Sequence, residues 1–243
     1  MSSSYDIKIV FEVIPKLLSY LPMTLLLTAL PLFLGLALGA VIMAMRESKH
    51  KALRAFAQFY IFSMRATPPL IQIFLIYYGL PVILLQFGIN INGWSKVVFA
   101  ILSLTFNSAA YLAEILRSSF SAVDKGQFEA AASIGMTPFS TYARIIIPQA
   151  FKVFLPGFCN YAIMLLKDTS MASLIGVVDL MGGTSNYMSA TYGLHRLENL
   201  TSAAIIYWIV SKALEIITNY ITNRLGDSHK TNGWEREAFK CRH

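Results

Sequence analysis

The sequence predicts an all-α integral membrane protein with five transmembrane helices, and three observations support this fold class. Of the 243 residues, 56% are hydrophobic and only 14% are charged, and the mean hydropathy is +0.56. Soluble domains carry roughly 25% charged residues. Residues 17–45 and 66–95 contain no charged side chain, and each run exceeds the roughly 20 residues that cross a bilayer as a helix. Lysine and arginine are concentrated in alternate loops, which excludes a soluble globular domain.

The predicted elements follow one another along the chain as five spans with two flanking segments. The spans are residues 21–45, 56–81, 97–116, 151–177 and 200–223. Residues 1–16 form an external N-terminal segment without the apolar core of a cleavable signal peptide. Residues 226–243 form a charged and polar cytoplasmic tail, which is expected to be a frayed end.

Glycines and prolines within the spans predict how the helices pack. Gly35 and Gly39 have the GxxxG spacing that allows two membrane helices to approach closely, between subunits or within this chain. Local flexibility is a further alternative for these glycines. Pro68 and Pro69 in the second span and Pro156 in the fourth predict kinked or broken helices, which membranes tolerate where the backbone lies against protein or a water-filled cavity.

Basic residues predict the orientation, because cytoplasmic loops retain lysine and arginine. Thirteen lie on one side: Arg46, Lys49, Lys51 and Arg54 after the first span; Arg117, Lys125, Arg144 and Lys152 after the third; and Arg224, Lys230, Arg236, Lys240 and Arg242 in the tail. Only Lys8, Lys16, Lys96 and Arg196 lie on the other side. The N-terminus is therefore expected outside and the C-terminus in the cytoplasm. Because the net charge of +7 is scattered over loops, the expected non-protein partner is the lipid bilayer, and no nucleic acid is expected.

Residues 124–150 form a polar segment between the third and fourth spans, and its first half predicts a short helix. Asp124 and Gln127 have the spacing of a capping box, in which each side chain bonds the backbone of the other residue. Gly135 is placed to end this helix in the left-handed conformation. A polar, well-capped helix between apolar spans indicates a surface that contacts a soluble partner.

The second half of this segment predicts another helix. Thr137 followed by Pro138 has the pattern of an N-cap with proline at the first helical position. Pro148 is expected to end the helix, because proline disfavours the helical conformation at the preceding Ile147.

Ionisable and polar residues in the spans are candidates for a polar pathway, since a charge inside the bilayer requires a partner, access to the surface or a water-filled cavity. Arg65 and Glu114 lie near the ends of their spans, so snorkelling or mutual pairing competes with a pathway role. Lys167 and Asp168 lie midway in an otherwise uncharged stretch. The full candidate set is Arg65, Gln72, Glu114, Asn160, Lys167, Asp168, Thr169 and Ser170.

The sequence contains no motif for nucleotide or metal binding. A G-x-x-x-x-G-K-[ST] phosphate loop is missing. The four histidines, His50, His195, His229 and His243, show no metal-ligand spacing. Cys159 in a span and Cys241 in the tail predict no disulfide.

The segment 124–150 resembles the EAA loop of permease subunits of bacterial ABC importers, through Glu129, Ala130, Ala131, Gly135, and Ile145 or Ile147 before Pro148. Three flanking motifs are similar to the polar amino-acid branch, which includes histidine, glutamine, arginine and cystine permeases. They are RATPPLIQIFLIYYGLP at 65–81, AYLAEILRSSF at 110–120 and NYAIMLLKDTSMASLIGVVDL at 160–180. The resemblance is collinear over about residues 17–225. Ala66 replaces the family's usual glycine, and Ser118 with Ser119 replaces its small Gly-Ala pair. The stretch DKGQFEAAASIGMTP looks most like cystine permeases.

The resemblance implies a type I ABC importer permease fold, with the transmembrane domain at 17–225 and the coupling loop at 124–150. It implies a transport subunit, not an enzyme, in the bacterial cell membrane. The substrate would be a polar amino acid, with cystine or a related sulfur amino acid preferred. The implied ATPase-coupling residues are Gly126, Gln127, Glu129, Ala130, Ala131, Gly135, Met136 and Pro148.

The partners that the resemblance implies are two ABC ATPase subunits, an external solute-binding protein and a second permease chain, identical or paralogous. No cofactor is expected in this chain, because ATP and Mg are expected to bind to the ATPase.

Two other function classes compete with this interpretation. A stand-alone oligomeric channel or carrier would usually show internal repeats. Five spans do not divide into two halves, although a dimer could complete a pore. A membrane enzyme requires a catalytic or metal constellation, for which Lys167 with Asp168 is the one candidate.

Overall fold

The computed structural model describes residues 5–230, with side chains as far as residue 224. The helices are α1 (Ile7–Leu18), α2 (Leu21–Arg46), α3 (Lys51–Ala66), α4 (Pro69–Phe74), α5 (Leu80–Gln86), α6 (Lys96–Ser121), α7 (Gly126–Ser133), α8 (Pro138–Thr141), α9 (Ile147–Asp168), α10 (Leu180–Ala190) and α11 (Arg196–Lys230). A π-helical turn, Leu75–Gly79, joins α4 to α5, and a second, Tyr142–Ile146, joins α8 to α9. A 3₁₀ helix, Thr169–Ile175, follows α9.

Five helical stretches among residues 5–230 are long and apolar enough to cross a membrane, which confirms the predicted fold class. They are Leu21–Arg46, Pro69–Gln86, Lys96–Ser121, Pro138–Ile175 and Arg196–Arg224. The last helix continues to Lys230, so the first residues of the predicted tail are helical. Residues 231–243, the rest of that tail, lie outside the described residues.

The second predicted span is divided by a break at Thr67 and Pro68. Both residues have extended backbone conformations, with ψ angles of 139° and 135°. Proline disfavours a helical conformation at the residue before it, so two consecutive prolines end α3 at Ala66 and restart the helix at Pro69. The predicted break is confirmed here, whereas α9 continues through Pro156.

The prediction that Pro148 ends the second helix of the 124–150 segment is wrong. Ile147 is helical, with φ −58° and ψ −46°, and Pro148 lies in the first turn of α9. Proline is tolerated in a first turn, and the preceding π-helical turn inserts an extra residue into the helical hydrogen-bonding pattern. Helix α8 therefore continues into the fourth span without a break.

Helix α1 lies in the N-terminal segment, where the sequence predicted no helix. Its buried residues, Val10, Val13 and Leu17, form one face, which packs on α11 and α10. Lys16 Nζ donates a hydrogen bond to Tyr187 Oη at 3.0 Å, and this bond raises the pKa of Lys16. An amphipathic helix of this length is marginal in isolation and is stabilised by the partner face that α10 and α11 provide.

Helix α10 is a second helix that the sequence did not predict. Asp179 caps its N-terminus, and the Asp179 side chain accepts a hydrogen bond from the Gly182 amide at 2.9 Å and another from the Tyr207 hydroxyl at 3.3 Å. Burial raises the pKa of Asp179. The Leu180 amide donates to Thr24 Oγ1 at 2.9 Å, so the start of α10 is fixed against both α2 and α11.

The most extensive helix contact joins α2 to α6, and the two GxxxG glycines lie in it. A Cβ atom on Gly35 would lie 2.5 Å from Ser108 Cβ. One on Gly39 would lie 2.9 Å from the Ala109 carbonyl oxygen and 3.0 Å from the Ala113 amide nitrogen. Of the alternatives for this motif, the structure shows close packing within the chain.

We expect Gly39→Ala to destabilise the protein, because the new methyl group meets backbone atoms that cannot rotate away. Overpacking of this kind costs about 1–3 kcal/mol. The matched control is Gly79→Ala, since a Cβ atom at Gly79 meets nothing within 4 Å. Thermal unfolding of the detergent-purified variants should give a lower Tm for Gly39→Ala alone, and equal Tm values would contradict this packing argument.

Candidate functional site

Helix α7 opens the 124–150 segment, but the predicted capping box does not form. Asp124 Oδ1 accepts a hydrogen bond from the Gly126 amide at 2.6 Å, and α7 begins at Gly126 without a side-chain cap. Gln127 Oε1 instead accepts from Gln149 Nε2 at 3.3 Å. Because Asp124 bonds two residues ahead in a tight turn, Gln127 is free to join α7 to α9.

The turn between α7 and α8 has the geometry that the sequence predicted. Gly135 is left-handed, with φ +76°, and its amide donates to the Ala132 carbonyl at 3.0 Å. The Met136 amide donates to the Ala131 carbonyl at 3.0 Å, which completes a glycine-closed helix end. Thr137 Oγ1 then accepts from the Ser140 amide at 3.3 Å and caps α8.

Two large apolar side chains project from this turn, and the sequence interpretation missed both. Ile134 is 76% exposed and Phe139 is 84% exposed. Glu129 and Ala130 are also exposed, whereas Ala131 is buried. Apolar residues on either side of a left-handed glycine, within an otherwise polar segment, were the sequence signal that could have identified this pair.

The opposite side of the segment is anchored to the rest of the protein. Val123, Ile146 and Ala150 form a buried apolar cluster beneath it. The rings of Phe128 on α7 and Tyr142 in the π-helical turn are in edge contact, 5.5 Å between centroids. The segment therefore has one anchored side and one exposed side.

Glu114 lies in an ion-pair cluster at the end of α6. Its carboxylate accepts hydrogen bonds from Arg46, at the end of α2, and from Arg117. Arg65, its alternative predicted partner, lies over the Tyr111 ring, 5.4 Å from the centroid. Of the alternatives for Arg65 and Glu114, mutual pairing does not occur, because Arg46 and Arg117 occupy both carboxylate oxygens.

Lys167 to Ser170 lie at the junction of α9 with the 3₁₀ helix, inside the stretch Pro138–Ile175 that is long enough to cross a membrane. Lys167 is exposed and Asp168 is half-buried. Thr169 Oγ1 donates to the Leu166 carbonyl at 2.8 Å, and Ser170 Oγ donates to the Lys167 carbonyl at 2.7 Å. The two hydroxyl groups thus bond the helix backbone, and the two charged side chains are the groups left for a polar pathway.

The remaining two pathway candidates differ in environment. Asn160 is exposed on α9, whereas Gln72 is buried in α4 and hydrogen-bonded within the protein. Within residues 5–230, no group of three or more His, Cys, Asp or Glu side chains is arranged to hold a metal ion.

Comparison with known proteins identifies the family. Residues 32–227 match the family described as the binding-protein-dependent transport system inner membrane component. The chain belongs to this family. The match covers four of the five membrane-spanning stretches completely, together with the whole 124–150 segment.

The permease has relatives of similar length. It is 33% identical over 229 residues to the probable amino-acid permease protein YxeN of Bacillus subtilis (strain 168), covering 94% of this chain and 100% of the relative. It is 34% identical over 215 residues to the L-cystine transport system permease protein TcyL of the same organism, covering 88% and 89%. A crystal structure of an amino acid ABC transporter with histidines superposes with a TM-score of 0.80 and 36% identity, over 92% and 100% of the two chains.

These similarities establish the coarse function. The protein is the membrane-spanning permease subunit of an amino-acid ABC importer, and its fold is that of the type I permeases. It is a transport subunit, as predicted, and not an enzyme. Membership of this family implies an ATPase subunit and a binding protein as partners.

In this permease, we expect Glu114→Ala to lower the Tm by several degrees. The change leaves Arg46 and Arg117 without their shared, half-buried carboxylate, and hydrogen bonds to charged groups contribute about 1.5–3 kcal/mol. Glu215→Ala is the control, since the Lys212–Glu215 pair is about half exposed and such pairs contribute roughly 0–1 kcal/mol. Equal Tm shifts for the two variants would contradict a structural role for the Glu114 cluster.

Proposed function

We propose that this permease carries cystine or a related sulfur-containing amino acid into the cytoplasm, driven by two ATPase subunits that bind the 124–150 segments of two permease chains. The substrate is supported by the 34% identity to a permease named for L-cystine transport. It is also supported by the resemblance of DKGQFEAAASIGMTP to cystine permeases.

The observation that carries the coupling proposal is the exposure of Ile134 and Phe139 around the Gly135 turn. Large apolar side chains on a polar surface mark sites of protein contact, and aromatic residues commonly dominate the energy of such contacts. Exposed Glu129 offers an acceptor to a basic residue of the ATPase, while the small side chain of Ala130 permits close approach.

The anchored side of the segment supplies the mechanical connection. Helix α8 continues through the π-helical turn into α9, and the Gln127–Gln149 hydrogen bond ties α7 to the same helix. When ATP closes the ATPase dimer, the segment moves with its partner and tilts α9, which carries Lys167 and Asp168 at its far end. ATP and Mg act in the ATPase, and this chain contributes a rigid body that alternates between two orientations.

The proposed orientation has the N-terminus outside and the C-terminus in the cytoplasm. Arg46, Glu114 and Arg117 cluster at one end of the bundle, next to the 124–150 segment. The lysine and arginine count favours the cytoplasm for this end and an external position for α1, where the binding protein would dock.

Uptake measurements in liposomes test this proposal. The permease is reconstituted with its ATPase and binding protein, and uptake of radiolabelled cystine is measured with and without enclosed ATP. We expect uptake of radiolabelled cystine to require both ATP and the binding protein. Excess unlabelled cystine should suppress this uptake more strongly than excess arginine or glutamine does. ATP-driven uptake of an amino acid without sulfur, with no uptake of cystine or its sulfur-containing relatives, would refute the substrate class. Uptake without ATP would refute the coupling.

A further inference from the structure

The break between α3 and α4 leaves the Met64 carbonyl oxygen without its helical hydrogen-bond donor, and the side chain of Gln72 donates to it instead. In a continuous helix, the amide of residue 68 would donate to the Met64 carbonyl, but Pro68 has no N–H group. Gln72 Nε2 lies 2.7 Å from the Met64 carbonyl oxygen and 3.0 Å from that of Thr67. It also lies 2.8 Å from Thr67 Oγ1. The Gln72 amide therefore replaces the missing backbone donor and ties the two halves of the broken helix together.

The other end of the same amide connects the break to the centre of the bundle. Gln72 Oε1 accepts from Asn107 Nδ2 on α6 at 2.9 Å, and the two side chains are only 6% and 2% exposed. The Tyr161 hydroxyl on α9 donates to Ser108 Oγ at 2.9 Å and lies 3.4 Å from Asn107 Oδ1. A continuous polar chain thus joins the α3–α4 break, α6 and α9.

Helix α9 is also the helix into which the 124–150 segment continues. Its movement would reach α6 through Tyr161 and would reach α4 through Asn107 and Gln72. Polar contacts between membrane helices contribute about 0.6–2 kcal/mol each, which suffices to hold α4 in register with α6 while leaving the contact reversible.

We propose that Gln72 is a positioning residue for transport, which couples the broken second helix to α6 and α9 so that movement of α9 also moves α4. This inference rests on the proposed ATP-driven function. It extends that function by assigning the transmission of movement from α9 to α4 to the buried side-chain amide of Gln72. A role confined to stabilising the break would affect folding and leave the coupling between ATP hydrolysis and uptake intact.

The test is the number of cystine molecules taken up per ATP hydrolysed, measured with the reconstituted permease, ATPase and binding protein. Gln72→Met keeps the length of the side chain and removes its donor and acceptor. Tyr161→Phe removes one hydroxyl group and keeps the stacking of this ring on Tyr111, 5.3 Å between centroids. We expect each variant to lower the uptake per ATP at least about five-fold, and the double variant to be no worse than Gln72→Met alone, because the two residues act in one chain of contacts.

Thr105→Val is the matched control. Thr105 is buried in α6, two residues before Asn107, and its Oγ1 atom has no hydrogen-bond partner among the described residues. This substitution removes a buried hydroxyl group from the same helix without breaking the chain of contacts. Uptake per ATP should remain at the wild-type value.

The outcomes separate the two levels of the proposal. Wild-type uptake per ATP in Gln72→Met, or in Tyr161→Phe if Gln72→Met does not fold, would overturn the role of Gln72, even if the Tm falls. A double variant whose effect is the product of the two single effects would also overturn it. Absence of ATP-dependent uptake by the wild-type assembly would instead refute the proposed function.

Discussion

Phe139→Asp is expected to remove most of the ATPase from the purified permease. Phe139 is 84% exposed at the start of α8, so the substitution leaves the fold unstrained and places a charge where the proposed partner buries an aromatic ring. Removing a central aromatic contact costs about 2 kcal/mol or more, which corresponds to a roughly 30-fold weaker affinity. The measurement is the amount of ATPase that co-purifies with an affinity-tagged permease, compared at equal membrane content.

Phe87→Asp is the control for this prediction. Phe87 is also largely exposed, at 75%, but it follows α5 in the connection between α5 and α6, which the predicted topology places outside. ATPase retention should be unchanged in this variant. Wild-type retention in Phe139→Asp, or an equal loss in both variants, would show that the ATPase does not bind around the Gly135 turn.

The turn at Gly135 and the start of α8 were predictable because neighbouring residues determine them, whereas the capping box predicted at Asp124 and Gln127 does not form. Gly135 adopts the left-handed conformation that favours glycine, and Thr137 with Pro138 has the residue types favoured at the N-cap and first position of a helix. The same reasoning failed at Pro148, because its tolerance depends on the π-helical turn at Tyr142–Ile146. The extra residue in this turn shifts the hydrogen-bonding register of the helix. The presence of a proline at position 148 does not indicate that such a shift occurs.

Contacts between distant parts of the chain were harder to predict than helices. Glu114 was identified as a charge requiring a partner, but Arg46 lies 68 positions away, and the α2–α6 packing selects it over Arg65. Gln72 was identified as a polar residue in a span, yet its role depends on the carbonyl that Pro68 leaves unpaired. Helices α1 and α10 were missed because their stability comes from contacts with each other and with α2 and α11, which no local pattern encodes.

Gly135→Pro is expected to reduce ATP-dependent uptake to background, whereas Gly135→Ala should retain most of it. The glycine has φ +76°, but proline is confined to about −65° and lacks the amide that donates to the Ala132 carbonyl. The turn must then change direction, which changes the position of exposed Ile134 relative to exposed Phe139. A Cβ atom at this position meets nothing within 4 Å, so alanine carries only the left-handed penalty of roughly 1–2 kcal/mol.

Comparison of these two variants distinguishes the effect of changing the direction of the turn from the effect of merely replacing its glycine. Both lose the glycine, but only proline prevents the closed helix end that sets the angle between α7 and α8. Uptake and ATPase retention should therefore fall together in Gly135→Pro, while membrane insertion, measured by the amount of permease in the membrane fraction, stays at the wild-type level for both. Equal uptake in the two variants would mean that the ATPase binds this segment without requiring α7 and α8 to be held at a fixed angle, and the rigid connection from Gly135 to α9 would then have no part in transport.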